Sequence, residues 1–131
     1  MPPTAFSHHA ASPQVELYWS CARPATGVLA LEGVAYNPFP APVRYLEVET
    51  VGLDATGQVV SWVRGATRAY TLGSNQTSPF RLDLTLAGNE ARLELRFRPG
   101  QLRVAHNGVL VRPLFASPEA EWTVAQAGCA P

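Results

Sequence analysis

Lysine is absent from this 131-residue chain: all ten of its basic side chains are arginine. Charge of either sign is scarce as well, with Asp, Glu, Lys and Arg making up 15% of the residues against roughly 25% in an average soluble domain. Arginine is the more weakly hydrated cation and sits at interfaces more readily than lysine does. Low charge and no lysine, together with many alanines and prolines, point to a surface shaped in part for contact with another molecule. A coding bias toward Ala, Arg, Pro and Gly gives the same composition, and composition leaves the two readings level. Excess charge is missing too, since ten acidic side chains balance ten basic ones. Binding to nucleic acid needs a cationic face that releases counterions, so no nucleic-acid partner is expected.

Long apolar runs are also missing. No stretch reaches the roughly 18 residues a membrane-spanning helix requires, so the chain is not expected to span a membrane itself. The opening Met1-Pro-Pro-Thr-Ala-Phe-Ser-His-His9 has neither the charged nor the apolar region of a secretory signal. A native Met1 therefore implies the cytoplasm or the cytoplasmic face of a membrane, and a removed leader implies an extracytoplasmic domain.

Cysteine is nearly absent: Cys21 and Cys129 lie near opposite ends of the chain. They either close one disulfide around a very long loop, worth ~3–5 kcal/mol, or stand as two small buried hydrophobes. The second reading is favoured, because no export signal is visible. Their spacing to each other and to His8, His9 and His106 matches no zinc motif. No nucleophile–base arrangement, nucleophile elbow or phosphate loop is present. Glu47 and Glu49 share a strand face and read as an exposed pair rather than an acid–base couple. Asn75-Gln-Thr77 is a glycosylation sequon, which matters only in a eukaryotic secretory setting. No catalytic residue, metal ligand or cofactor site is expected.

What is present is strand pattern. Residues 1–13 read as an extended arm, because Pro2, Pro3 and Pro13 oppose both helix and ladder. Val15-Glu-Leu-Tyr-Trp-Ser-Cys21 alternates, with Val15, Leu17, Trp19 and Cys21 on one face. Val28 to Tyr36 is apolar on both faces, as in a central strand. After the rigid loop Asn37-Pro-Phe-Pro-Ala-Pro42, a third strand over Arg44–Leu53 turns at Asp54–Gly57 into a fourth over Gln58–Arg64. Phe80–Leu86 and Ala91–Arg98 both keep a period of two, which a helix does not produce. As a hairpin, they set Arg81 and Asp83 opposite Arg92, Glu94 and Arg96. His106-Asn-Gly108 signals a two-residue hairpin turn before Val109–Arg112. Ser117-Pro-Glu119 has the order of a helix start, so 118–127 is either a short helix or a last strand. The expected fold is all-β, an antiparallel immunoglobulin-like sandwich of seven to eight strands. The sandwich spans 14–113, with a C-terminal extension over 114–131.

The segments Leu31-Glu-Gly-Val-Ala-Tyr-Asn-Pro-Phe39, Leu53-Asp54, Thr56-Gly-Gln-Val-Val60 and Ser78-Pro-Phe80 resemble the FxLYD-like family of immunoglobulin-like domains. They are also similar to the water-stress and late-embryogenesis sandwiches, in which a strand ends in Asn-Pro-Phe. The resemblance covers roughly 28–98 and departs in the proline-loaded loop 38–42 and in everything after Arg98. It implies a non-enzymatic module attached to or near a membrane or envelope.

The sequence thus leads to a non-catalytic protein-binding module, an accessory subunit docked on a larger complex, of which a membrane-embedded one is an example. The alternative is a free-standing envelope or stress-protective sandwich held by a Cys21–Cys129 disulfide. Candidate interface residues are Phe6, Tyr18, Phe39, Pro40, Pro42 and Trp122. Aromatics on arms and preset loops make low-entropy anchors.

Overall fold

Two four-stranded antiparallel sheets take up the alternating segments, in the orders β1-β2-β3-β8 and β12-β9-β5-β6. The first is built from β1 (His8–Ala11), β2 (Glu16–Ala25), β3 (Val28–Tyr36) and β8 (Thr77–Thr85). The second is built from β5 (Leu46–Leu53), β6 (Val59–Ala66), β9 (Arg92–Pro99) and β12 (Thr123–Gln126). Two ribbons accompany them: β4 (Val43–Arg44) with β7 (Thr71–Leu72), and β10 (Val104–His106) with β11 (Val109–Val111). This computed structural model describes residues 6–99, 104–106, 109–111 and 122–131.

The chain crosses between sheets after β3, β6 and β8, which is the Greek-key route of an immunoglobulin-like sandwich. Val15, Leu17 and Trp19 join Leu29, Leu31, Phe80, Leu82 and Leu84 from one sheet. They meet Leu46, Val48, Leu93, Leu95 and Phe97 from the other, and each is at most 4% exposed. Burying each such side chain stabilises the fold by about 1.5–3 kcal/mol. β3 is central, as its two apolar faces require. Trp19 pairs with Gly33 across the β2–β3 ladder, and a Cβ on Gly33 would overlap the Tyr18 carbonyl.

Several expectations are corrected. β8 and β9 alternate as read, but they lie in different sheets and do not pair. The Leu86 amide still donates to Gly27 in the first sheet, while the Ala91 amide donates to Leu53 in the second. The intervening residues therefore carry the chain across the core. Period two fixes which face a side chain takes, not which strand lies beside it. Arg81 accordingly meets Glu32 (3.8 Å) and Asp83 (3.1 Å) instead of Arg92, Glu94 or Arg96.

At the C-terminus Thr123–Gln126 is a strand, not a helix. It pairs with β9, Val124 opposite Arg96, because the open edge of β9 supplies the hydrogen bonds a short helix would have to make for itself. Residues 118–121 lie outside the described set. The arm makes a ladder after all: His8–Ala11 contain no proline and pair with β2, His9 opposite Tyr18. Pro2 and Pro3 lie outside the described residues, and Pro13 follows the strand. The third strand is split at Tyr45, whose φ is 46°. The hairpin over His106 and Val109 is present.

Candidate interaction surface

The outer face of the second sheet is a lattice of arginine and glutamate edged by tryptophan. It follows from the alternation. With Leu93, Leu95 and Phe97 inward, β9 turns Arg92, Glu94, Arg96 and Arg98 outward, and with Leu46, Val48 and Thr50 inward, β5 turns Glu47 and Glu49 outward. The antiparallel register then sets Glu47 opposite Arg98 and Glu49 opposite Arg96, with Arg64 of β6 on the other side of Glu49. Each acid of β5 meets a base directly across the ladder, where side chains approach closest.

The ion pairs across the ladder follow that register, while Glu94 and Arg96 pair along β9 itself. Arg98 binds Glu47 at 2.9 Å. Glu49 lies between Arg64 at 3.1 Å and Arg96 at 3.6 Å, and Glu94 holds Arg96 at 2.8 Å. The sequence leads to the expectation of an exposed Glu47–Glu49 pair. Instead the Glu49 side chain is 7% exposed, because arginine stems from both neighbouring strands close over it. Trp122 covers one end, with the Arg98 guanidinium 4.1 Å and that of Arg64 5.2 Å from its ring centre. Trp62 contacts Arg64 from the other side at 5.6 Å and is 59% exposed. Val124 of β12, opposite Arg96, is 52% exposed.

Exposed ion pairs contribute about 0–1 kcal/mol each, and cation–π contacts at exposed sites about 0.5–1 kcal/mol. The lattice therefore matters less for stability than for what it presents: a plate of four arginines and three glutamates whose long side chains are already engaged with one another.

The sequence-derived candidates scatter. Trp122 lies on this plate. Phe39, Pro40 and Pro42 are exposed on a separate loop. That loop is fixed by fully buried Asn37, whose amide donates to Ala41 (2.8 Å) and Leu72 (3.1 Å) and whose oxygen accepts from the Phe39 amide (2.9 Å). Tyr18 faces outward from the first sheet but is stacked under His9, ring centres 4.6 Å apart. Burial and its hydrogen bond to Glu16 push the Tyr18 hydroxyl up to about 12. Phe6 lines an open groove of about 490 Å³ with Val34, Pro79, Glu32, Arg68 and Arg81.

Trp62, Arg64 and Arg98 were not singled out by the sequence. Their signal lay in the arginine–glutamate alternation of 92–98 and in Glu47 and Glu49, and it becomes readable only once β5 is known to lie between β6 and β9.

Cys21 and Cys129 form a disulfide, Cα atoms 6.2 Å apart, so the reading of two separate thiols is corrected. Trp19 brings the ends together, as its indole nitrogen donates to the Ala127 carbonyl at 2.8 Å. The donor atoms of His8, Cys21 and Cys129 all lie within 4.8 Å of one another. Among the described residues, no helix is long and apolar enough to cross a membrane.

Comparison with protein-family models, curated proteins and solved structures finds no match to this chain. The likeness to FxLYD-like and water-stress sandwiches thus rests on its short motifs.

Proposed function

We propose that the chain is a non-catalytic protein-binding module, an accessory subunit that docks through the outer face of its second sheet. The observation that carries this reading is Trp62, 59% exposed at the edge of a plate whose arginines are paired with glutamates. Tryptophan and arginine dominate the energetics of protein interfaces, and preordered side chains lose little entropy on docking. The internal pairing also disfavours a nucleic-acid ligand, since each phosphate would have to displace a carboxylate already in place. The exposed Phe39–Pro42 loop offers a second contact point on the same partner, and a membrane-embedded complex falls within this reading.

The test is to isolate the full chain with its partner from source cells and then titrate the purified partner with the native chain and with a Trp62→Ala/Trp122→Ala variant. A hot spot predicts a loss of about thirty-fold or more in affinity, with the far-UV circular dichroism unchanged. Equal affinity in both would overturn the reading, as would the absence of any stoichiometric partner.

One observation favours a second reading. The Cys21–Cys129 disulfide suits an oxidising compartment and so a free-standing envelope or stress-protective domain. That reading expects a monomer in native extracts whose mass shifts by two hydrogens on reduction.

A further inference from the structure

We propose that His8, Cys21 and Cys129 form a redox-gated metal site, closed as a disulfide under oxidising conditions and able to take Zn²⁺ through two thiolates and an imidazole once reduced. The three residues come from separate parts of the chain: β1, β2 and the segment after β12. Their donor atoms nevertheless lie within 4.8 Å of one another. Zinc bonds thiolate at about 2.3 Å and imidazole at about 2.0–2.1 Å. Donors around one ion are then separated by roughly 3.5–3.8 Å, so small side-chain rotations bring all three onto it. Two thiolates and a histidine, with the fourth position open to solvent, is a known zinc donor set.

The site does not depend on the sulfur–sulfur bond for its shape. His8 is positioned by the β1–β2 ladder, in register with Trp19, and Cys21 projects from the same face of β2. Cys129 is delivered by backbone: β12 pairs with β9, the Ala127 amide donates to Leu93 (3.0 Å), and the Ala127 carbonyl accepts from Trp19. Arg23 adds a hydrogen bond to the Ala130 carbonyl. Gly128 completes the fit. Its φ is 78°, and a Cβ there would overlap the His8 imidazole. The ring therefore lies directly against the backbone that carries Cys129. Both sulfurs are also near the Ala127 carbonyl oxygen, at 3.7 and 3.4 Å.

The chemistry balances with a dithiol as reductant. Two electrons and two protons pass to the sulfurs of Cys21 and Cys129 while the dithiol leaves as its own disulfide. Zn²⁺ then displaces both thiol protons, and neutral His8 donates a ring nitrogen. Disulfide and metal are mutually exclusive, so the same clasp on the C-terminal strand can be held by either.

The full chain, reduced with a dithiol and freed of it anaerobically, is titrated with Co²⁺ as a spectroscopic stand-in and then with Zn²⁺. The expected result is a thiolate-to-cobalt charge-transfer band that saturates at one equivalent, is displaced by Zn²⁺, and is absent from the oxidised chain. His8→Ala weakens Zn²⁺ by about ten-fold or more in competition with a chelator, and Cys21→Ser/Cys129→Ser abolishes the band. No band in the reduced chain, an equal band in the oxidised chain, or undiminished affinity in His8→Ala overturns the proposal. If reduction unfolds the chain, recovery of the strand signal on adding Zn²⁺ supports it and failure to recover overturns it. None of these readouts involves a docking partner.

Discussion

The indole nitrogen of Trp19 donates a buried hydrogen bond of 2.8 Å to the carbonyl of Ala127, a residue 108 positions further along the chain. Trp19 is 1% exposed and Ala127 fully buried, so no water can replace the bond. It ties the first sheet to the segment after β12, beside the Cys21–Cys129 link. Trp19→Phe keeps most of the apolar bulk but leaves that carbonyl without its donor. We expect a loss of about 1–3 kcal/mol from the orphaned acceptor, seen as a lower urea midpoint at unchanged slope. A midpoint equal to that of the native chain would show that the bond contributes nothing.

Asn37 organises the proline loop from inside. Its side chain supplies two donors and one acceptor to Leu72, Ala41 and Phe39, and its carbonyl accepts from the Asn75 amide at 2.6 Å. Asn37→Ala strands the buried Leu72 carbonyl and frees two half-buried partners at Ala41 and Phe39, and should cost about 1–3 kcal/mol. Asn37→Asp keeps the acceptor for Phe39 but turns a carboxylate oxygen toward two carbonyls, and should cost at least as much. Either variant unfolding in urea with the native midpoint would refute this account of the Asn-Pro-Phe turn.

Faces were legible in the sequence, while partners were not. Val15, Leu17 and Trp19 are inward as their spacing demands, and so are Phe80, Leu82 and Leu84. A period of two is a local property, set by the pleat. Whether β8 lies beside β9 or across the core from it depends on where the loop over 86–91 carries the chain, which no short-range pattern encodes. The same limit hid the plate, since Glu49 is recognisable as an acid held by two arginines only when β6 and β9 are known to flank β5. The pairing of His106 with Val109 was legible because a short hairpin signal fixes the register of the strands that flank it. Of the two C-terminal alternatives the strand is the one adopted, because Thr123 and Val124 gain more from the free edge of β9 than a short helix could return.

Glu90 makes stability pH-dependent. Partial burial pushes its carboxyl up, but hydrogen bonds from Ser61 (2.6 Å) and from the amides of Ala87 (2.7 Å) and Gly88 (2.8 Å) outweigh this and hold it at about 2. The folded value lies below the ordinary 4.5. The charged form is thus favoured by folding, and this contribution is present above pH 4.5 and lost as the pH falls toward 2. After screening by nearby solvent we expect about 1–2 kcal/mol. Urea titrations at neutral and acid pH should show the native chain losing that much more than Glu90→Gln. Parallel losses in the two proteins would mean that Glu90 is not the group responsible.

Thr50 offers a change in the opposite direction. It is fully buried on β5, and its hydroxyl oxygen has no hydrogen-bond partner among the described residues. Thr50 faces inward between Val48 and Gly52, where the neighbouring positions across the ladder are Leu95 and Val63. A hydroxyl in such surroundings keeps its desolvation cost without a compensating bond. Thr50→Val has nearly the same shape and removes that cost. We expect stabilisation of about 0.5–1.5 kcal/mol, read as a higher thermal midpoint with an unchanged circular dichroism spectrum. A destabilised Thr50→Val would mean that the hydroxyl finds a partner, such as an ordered water, that makes it worth burying.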